Sequence, residues 1–425
     1  MKVESVRGMR DVLPAEADLW QDLEREIHRT CGLYAYREIR PPLVELAELF
    51  ARGVGHHTDI VHKEMYVFPD RKGLQLALRP EATASVVRAY VEHSLHSSGD
   101  VVKLYYLGPM FRYEKPQKGR QRQFHQYGVE ALGSLEPALD AEVIDIAAEL
   151  VASLGLSREG LTLRLNSIGC ARDRPAYRAA LSGYLREHLE ELCADCRRRV
   201  EENPMRVLDC KRPGCSVVAA AAPHSAQHLC SECAQHYREV KELLDVLGLA
   251  YEEDFTLVRG LDYYTRTVFE LCSAELGAQD ALLGGGRYDE LVELLGGSPT
   301  PAVGFAGGME RLVLLLKSKA QEQRSEKLDV CLIPVGDEPQ VRRGAVGILR
   351  QLRSSGRTAD MEYMDRSVRK AMQVASRRAH WAVILGPEEI GEGQATVRHL
   401  ASGTEARLDL GRLGNPDAWP PVPQG

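Results

Sequence analysis

Arg112 and Glu114 alternate on one face of an extended run within LGPMFRYEKPQKGRQRQFHQYGVEALG (107–133), and a basic turn carrying Arg120 follows them. A guanidinium can hold a phosphate through two parallel hydrogen bonds, and a carboxylate can accept from an exocyclic amine such as that of adenine. The pair suits a nucleotide, and it equally suits a basic surface hairpin with ordinary ion pairs. A second anchor is VGFAGGMERLVLLL (303–316), where small residues allow close backbone approach to a ligand and Arg311 lies one turn into the following helix. Taken singly, Arg311 is also an ordinary helix-start charge. Glycine-loop signatures for phosphate are missing: there is no GxxxxGK[ST], and GGGR at 284–287 does not continue into GxGxxG. ATP, if bound, is held another way.

Ten cysteines are the other reactive feature. Cys193-x-x-Cys196 and Cys230-x-x-Cys233 form two knuckles with Cys210 and Cys215 between them, and four thiolates at such spacing can make a tetrahedral structural zinc site. The surrounding helices are well patterned without a metal, so no metal ligand is assigned. A basic set, Arg366, Arg369, Lys370, Arg377 and Arg378, is spaced as a stripe on a helix near 366–380. Such a stripe is commonly only a solvated face.

These residues need elements to position them. Leu19, Trp20, Leu23 and Ile27 predict a helix over 15–31 behind Pro14, and 37–55 reads as a strand stopped by Pro41 and Pro42, then a short helix. Strands are expected at 74–79, 101–107 and 123–132, the last two too close for a crossover and so antiparallel. A helix over 139–155, a strand over 161–169, and a helical, cysteine-dotted insertion at about 172–248 follow. Strands at 255–258 and 267–273 then precede helices near 287–295 and 308–317. The polar stretch 317–327 predicts a linker. That divides a domain over 1–327 from a small α/β domain over 328–425, with strands at 328–336, 358–363 and 381–386 and a frayed Pro-rich end.

At 425 residues and 44% hydrophobic, the chain can bury two or three cores. Its start lacks the features of a secretory signal, and no apolar run approaches the ~20 residues that span a bilayer, so a cytoplasmic protein without membrane contact is expected. A net charge of −7 gives no global attraction to nucleic acid and confines RNA contact to local basic patches.

Taken together, the segments resemble the three motifs of class II aminoacyl-tRNA synthetases: the Pro-containing 37–55, FRYE at 111–114, and the glycines and arginine of 304–311. The HIGH and KMSKS strings of the other class do not occur. Two further segments, LVRGLDYYTRTVFE (257–270) and LLGGGRYDELVELLG (282–296), resemble motifs peculiar to histidyl-tRNA synthetases. The likeness runs from about residue 4 to 410 and includes RGMRDVLP (7–14), LRPEATA (78–84) and NPMRVLDCK (203–211).

The resemblance implies an α+β catalytic domain with an antiparallel six- or seven-stranded sheet flanked by helices, a homodimer through the first motif, and a C-terminal α/β anticodon-binding domain. It implies activation of L-histidine with ATP and Mg²⁺, then transfer to the 3′ end of tRNA(His). Arg112 would take the α-phosphate, Glu114 adenine, Arg311 the far phosphates with Arg120 nearby, and Arg259 an electrophilic role beside Arg112. Glu130 and Tyr264 would read the imidazole with Tyr263 beside them, while Glu81, Thr83 and Gln126 would hold the α-ammonium. An imidazole both donates and accepts, so a carboxylate and a hydroxyl at fixed positions are what its selection needs. Ala82 departs from a frequent glycine, and its methyl is expected to crowd the ammonium site slightly. Contact between the basic stripe and the anticodon stem is expected too. No residue stands out as general base for the transfer step.

Two other readings compete. A non-catalytic, synthetase-like regulatory subunit of ATP phosphoribosyltransferase shares the fold, but such paralogues generally lose the ATP arginines and the C-terminal domain. A zinc-knuckle RNA-binding protein would explain the cysteines and the stripe and little else.

Overall fold

The computed structural model of the protein describes all residues except 1–2, 56–57, 59, 117–118, 157–159, 277–280, 320–326, 365 and 422–425. Contacts divide the chain into two units, Met1–Gln321 and Glu322–Gly425. The expected linker at 317–327 falls largely outside the described residues.

The first unit opens with helix α1 (Pro14–Leu33), started by Pro14, whose missing N–H costs nothing in a first turn. Strand β1 (Arg37–Glu38) ends before the two prolines; β2 (Val44–Leu46) and α2 (Ala47–Val54) follow. A hairpin of β3 (Tyr66–Pro69) and β4 (Gln75–Leu78) joins β2 in a small three-stranded sheet, order β2-β4-β3. After α3 (Thr83–Glu92) come the long strands β5 (Val102–Phe111) and β6 (Gln123–Leu132), paired antiparallel over ten residues. Helix α4 (Pro137–Ser153) leads to β7 (Leu161–Ser167). Five helices then form the insertion: α5 (Arg174–Glu187), α6 (Ala194–Glu202), α7 (Met205–Leu208), α8 (Pro213–Ala220) and α9 (Ser231–Val246). Strands β8 (Glu252–Glu253), β9 (Thr265–Ser273) and β10 (Ala281–Arg287), helix α10 (Leu291–Leu294), strand β11 (Ala302–Gly308) and helix α11 (Met309–Lys319) complete the unit.

The main sheet has the order β1-β5-β6-β11-β10-β9-β7-β8. Its six central strands are antiparallel, as expected. Two-residue strands extend it at each edge, β1 beside β5 and β8 beside β7, both parallel. The strand expected at 255–258 is instead a turn: Asp254 accepts from the Thr256 backbone and hydroxyl, and its carbonyl from Leu257 N. Side chains that hydrogen-bond their own backbone two residues on favour turns over ladders. The helix expected near 287–295 shrinks to α10, because Arg287 still belongs to β10.

Strand alternation separates the two faces of this sheet. Tyr127, Val129 and Ala131 of β6, Phe269 and Leu271 of β9, and Val303 and Phe305 of β11 enter one large core with α1, α4, α9 and α11. The intervening residues, Gln126, Glu130, Glu270, Gly304, Ala306 and Gly308, are therefore left to the opposite face.

The second unit is a five-stranded sheet, order β13-β12-β14-β15-β16. Its strands are β12 (Leu328–Pro334), β13 (Ala359–Met361), β14 (Ala379–Leu385), β15 (Gln394–His399) and β16 (Glu405–Asp409). Helices α12 (Pro339–Ser354), α13 (Val368–Arg378) and α14 (Pro387–Glu392) connect them. β12, β13 and β14 are parallel, and the terminal hairpin of β15 and β16 adds antiparallel strands absent from the sequence reading. The Pro-rich end is not frayed up to Pro421: Trp419 is buried against Trp381 and donates Nε1–H to the Leu413 carbonyl at 3.0 Å. An indole is large enough to anchor a tail that its neighbours would leave loose.

Candidate active site

The polar face of the main sheet holds a cavity of about 250 Å³. Of the eleven residues singled out from the sequence, ten line it: Arg112, Arg259, Arg311, Glu114, Arg120, Glu81, Thr83, Gln126, Tyr263 and Tyr264. Glu130 is the exception. It lies beneath the lining, 1% exposed, on the same face of β6 as Gln126.

Guanidiniums crowd one end. Arg112, just past β5, donates Nε–H to the Pro80 carbonyl at 2.9 Å and lies over the Phe124 ring, 5.3 Å from its centroid. That contact directs its remaining N–H groups while leaving Glu114 at a loose 3.9 Å. Arg120 closes on Glu114 at 3.1 Å. Arg259 pairs with Glu270 of β9, and Arg311 donates to the Ala281 carbonyl. Burial lowers the proton affinity of Arg311, and the positive charge of Arg120 lowers it further, so an anion here would relieve repulsion already present. All four arginines also line a second hollow, of about 430 Å³, with Lys211 and Asp209. Gly284 makes the cradle possible, since a Cβ there would overlap the Arg259 guanidinium.

Carboxylates and hydroxyls form the other end. Glu81 accepts from the backbone N–H groups of Thr83 and Ala84, at 2.7 and 3.0 Å, where α3 begins; burial still raises its proton affinity overall. Thr83 donates its hydroxyl to Glu130 at 2.6 Å, and Tyr288 donates to the other Glu130 oxygen. Burial pushes the Glu130 carboxyl up to about 8, against the pull of both hydrogen bonds. Gln126 Oε1 is buried without a hydrogen-bond partner, an acceptor awaiting a donor at the cavity wall. The rings of Tyr263 and Tyr264 stand 4.8 Å apart, and Tyr263 meets Tyr288 at 5.7 Å. Gly304 gives Glu130 its room, because a Cβ there would overlap its carboxylate.

Ala82 is fully buried in an apolar cluster with Val86, Tyr106 and Met110 and is not among the residues that line the cavity, although its neighbours Glu81 and Thr83 are.

Sequence reasoning missed three contributors. Tyr288 holds Glu130, and its only signal was its place after GGGR. Glu270 neutralises Arg259 from the opposite end of RGLDYYTRTVFE. Glu310, next to Arg311, accepts from His125 N at 2.9 Å and faces His125 Nδ1 at 3.0 Å, tying α11 to β6. The two CxxC knuckles do not meet each other, so the four-thiolate site suggested by their spacing does not form; each gathers other partners. The basic stripe is also narrower than its spacing suggests. Arg366 precedes α13 and pairs with Glu362 at 2.7 Å, and Arg378, though exposed, pairs with Asp360 at 2.6 Å, so Arg369, Lys370 and Arg377 are the exposed members outside these two pairs.

The sequence model of the histidyl-tRNA synthetase family matches residues 8–312, and that of the anticodon binding domain matches 329–415. The histidine–tRNA ligase of Moorella thermoacetica is 50% identical over 406 residues, 95% of each chain. That of Desulfitobacterium hafniense (strain DSM 10664 / DCB-2) is 47% identical over 412 residues, 96% of each. Among solved structures, apo S. aureus histidyl-tRNA synthetase aligns over 97% of this chain and 99% of its own, with a TM-score of 0.80 at 36% identity. A Bacillus halodurans protein described as an ATP phosphoribosyltransferase regulatory subunit/histidyl-tRNA synthetase shares the fold, with a TM-score of 0.65 at 23% identity over 91% of this chain and 98% of its own. With its cradle of arginines set beside a buried carboxylate and paired tyrosines, and with relatives matched from end to end, the chain belongs to the histidyl-tRNA synthetase family.

Proposed function

We propose that the protein is a histidine–tRNA ligase: it joins L-histidine to ATP as histidyl-adenylate, releasing pyrophosphate, and passes the histidyl group to the 3′ end of tRNA(His). The observation that carries this reading is one cavity with Arg112, Arg120, Arg259 and Arg311 at one end and Glu81, Thr83, Gln126 and the paired tyrosines at the other. In-line attack of the histidine carboxylate on the α-phosphorus needs charge neutralisation and no covalent nucleophile. Arg112 and Arg259 would stabilise the α-phosphate, Arg311 and Arg120 the departing pyrophosphate, and Glu114 the adenine amine. Glu81 and Gln126 would accept from the α-ammonium. Tyr264 and Tyr263 would meet the imidazole, with Glu130 acting from behind Thr83 and Tyr288.

A Mg²⁺ ion carried in on the triphosphate fits this donor set. Glu114 and Glu270 are two of the acidic groups lining the cavity, both already paired with arginines, and Mg²⁺ commonly keeps several waters while taking one or two carboxylates. When bound it supplies charge neutralisation at the leaving pyrophosphate.

Two further parts of the proposal rest on surfaces. Homodimerisation through the first motif is supported by the small sheet, where Val44 and Leu46 lie opposite Leu78 and Leu76, and Phe68 flanks them, with Val44, Leu46 and Phe68 all more than a third exposed. Anticodon-stem contact is assigned to Arg369, Lys370 and Arg377. No helix among the described residues is long and apolar enough to cross a membrane, and ATP and tRNA as proposed substrates support a cytoplasmic reading. The regulatory-subunit reading would leave the convergence of the arginines without a purpose.

Histidine-dependent exchange of labelled pyrophosphate into ATP tests the proposal. Exchange with histidine and with no other amino acid is expected, and exchange with none would overturn it.

A further inference from the structure

We propose that the helical insertion carries two structural zinc sites, one formed by Cys193, Cys196, Cys210 and Cys215, the other by Cys170, Asp173, Cys230 and Cys233. Within each set, one ligand atom from every residue lies within 4.8 Å of all the others. A tetrahedral ion with Zn–S bonds of about 2.3 Å needs ligand atoms roughly 3.8 Å apart, so each set is already gathered to near that size. None of the seven cysteines in the two sets is spent in a disulfide.

The two knuckles have the same construction. Cys193 caps α6 with φ −67° and ψ 161°, and Cys230 caps α9 with φ −67° and ψ 164°; Cys196 and Cys233 then sit in the first turn, both 0% exposed. The positive end of a helix favours thiolate at that place. The remaining ligands arrive on turns shaped to deliver them. Cys210 follows the four-residue α7, Cys215 lies in the first turn of α8, and the Cys193 N–H points at Cys215 Sγ, 3.2 Å away. In the second set, Asp173 accepts from Cys170 N at 3.1 Å and Cys230 N at 3.0 Å, which fixes its carboxylate beside the three sulfurs. Gly169, at φ +70°, makes the tight turn that brings Cys170 there; a Cβ would strike Asp173.

The insertion also needs what a metal would give. Helices of nine, four and eight residues, α6 to α8, are too short to persist on propensity alone. Three soft thiolates with a carboxylate, or four thiolates, select zinc among common divalent ions, and each thiol gives up its proton on binding. The tetrathiolate site would hold the turn bearing Asn203 and Arg206, which fasten the loop after Arg259: Asn203 Nδ2 donates to Asp262 at 3.1 Å and Arg206 to the Gly260 carbonyl at 2.5 Å.

Metal content of the full chain, purified without chelator or an immobilised-metal column from zinc-supplemented cells, decides the matter independently of any ligase activity. Two equivalents of zinc are expected, with Cys210→Ser losing one and Cys233→Ser the other. Replacement by cobalt is expected to give the visible absorption of tetrahedral thiolate sites. Less than about a tenth of an equivalent in the wild-type protein overturns both sites, since a folded tetrahedral site of this kind retains its ion tightly. A zinc content left unchanged by Cys210→Ser overturns the tetrathiolate site, one left unchanged by Cys233→Ser overturns the other, and iron in place of zinc overturns the ion.

Discussion

Arg287 and Asp140 face each other 2.7 Å apart with neither side chain exposed, at the end of β10 and in the first turn of α4. Arg287 also donates to the carbonyls of Ser134 and Glu136, at 3.0 and 3.2 Å, so one guanidinium fixes the turn after β6. Burial alone would raise the Asp140 carboxyl, but Arg287 and His236 more than offset it. Breaking such a pair leaves an uncompensated buried charge, which costs about 3–5 kcal/mol. Arg287→Ala is therefore expected to lose that much stability in urea unfolding. A loss below about 1 kcal/mol would show that Asp140 finds another partner.

Glu130 gives a pH dependence with a definite sign. Its folded value of about 8 stands above its ordinary 4.5, so between those values the folded protein keeps a proton that the unfolded chain releases. Stability from this group therefore falls as pH rises through that window. Glu130→Gln removes the effect, and its melting temperature relative to wild type is expected to climb between about pH 5 and pH 8. A difference independent of pH would mean that Glu130 is ionised throughout. The same variant is expected to raise KM for histidine by about tenfold or more, with KM for ATP little changed.

Arg259 is expected to dominate adenylate formation. Arg259→Ala should lower histidine-dependent pyrophosphate exchange by about 10²–10³-fold, the scale for one lost charge-stabilising donor. Arg259→Lys should recover only part of this, because an ammonium cannot present two coplanar N–H groups. Full recovery would assign the residue a purely coulombic role.

Gly284→Ala tests the cradle without removing a charge. The added methyl overlaps the Arg259 guanidinium and must push it aside. Exchange is expected to fall by about tenfold or more in kcat while urea unfolding changes little, since misplaced catalytic groups lose rate steeply. Unaltered kcat would show that Arg259 can move without penalty.

Charge reversal at Arg369 and Arg377 together is expected to raise KM for tRNA and flatten its salt dependence. Reversal at Arg366, already paired with Glu362, should act on stability rather than on tRNA. If both variants match wild type in tRNA charging, the α13 face has no role in binding.

The long elements were legible because their periodicities were strong. Trp20, Leu23 and Ile27 mark α1, and the alternation of Tyr127, Val129 and Ala131 marks the buried face of β6. The arginines were legible through motif resemblance, since nothing in their spacing says that residues 112, 259 and 311 meet. Short pieces were less so. β1 was marked by the prolines that stop it, but β8 rests on the edge that β7 offers, and the 255–258 run was overruled by the turn at Asp254. Tyr288 was hidden for a related reason: its role is a contact with Glu130 across the sheet face, which local sequence does not encode. The cysteine knuckles misled in the same way, because equal spacing suggested one site where the topology makes two groups.

The cavity draws on residues from Glu81 to Arg311, and β11, which supplies its floor beside Glu130, comes late in that span. During synthesis, therefore, Arg112 leaves the ribosome long before its companions at 259 and 311. On the proposed function, a half-made chain would lack the complete arginine cradle, and pairing so distant in sequence forms late. Nascent protein would then not sequester nucleotide, and affinity would switch on as a unit when the last strand closes the sheet.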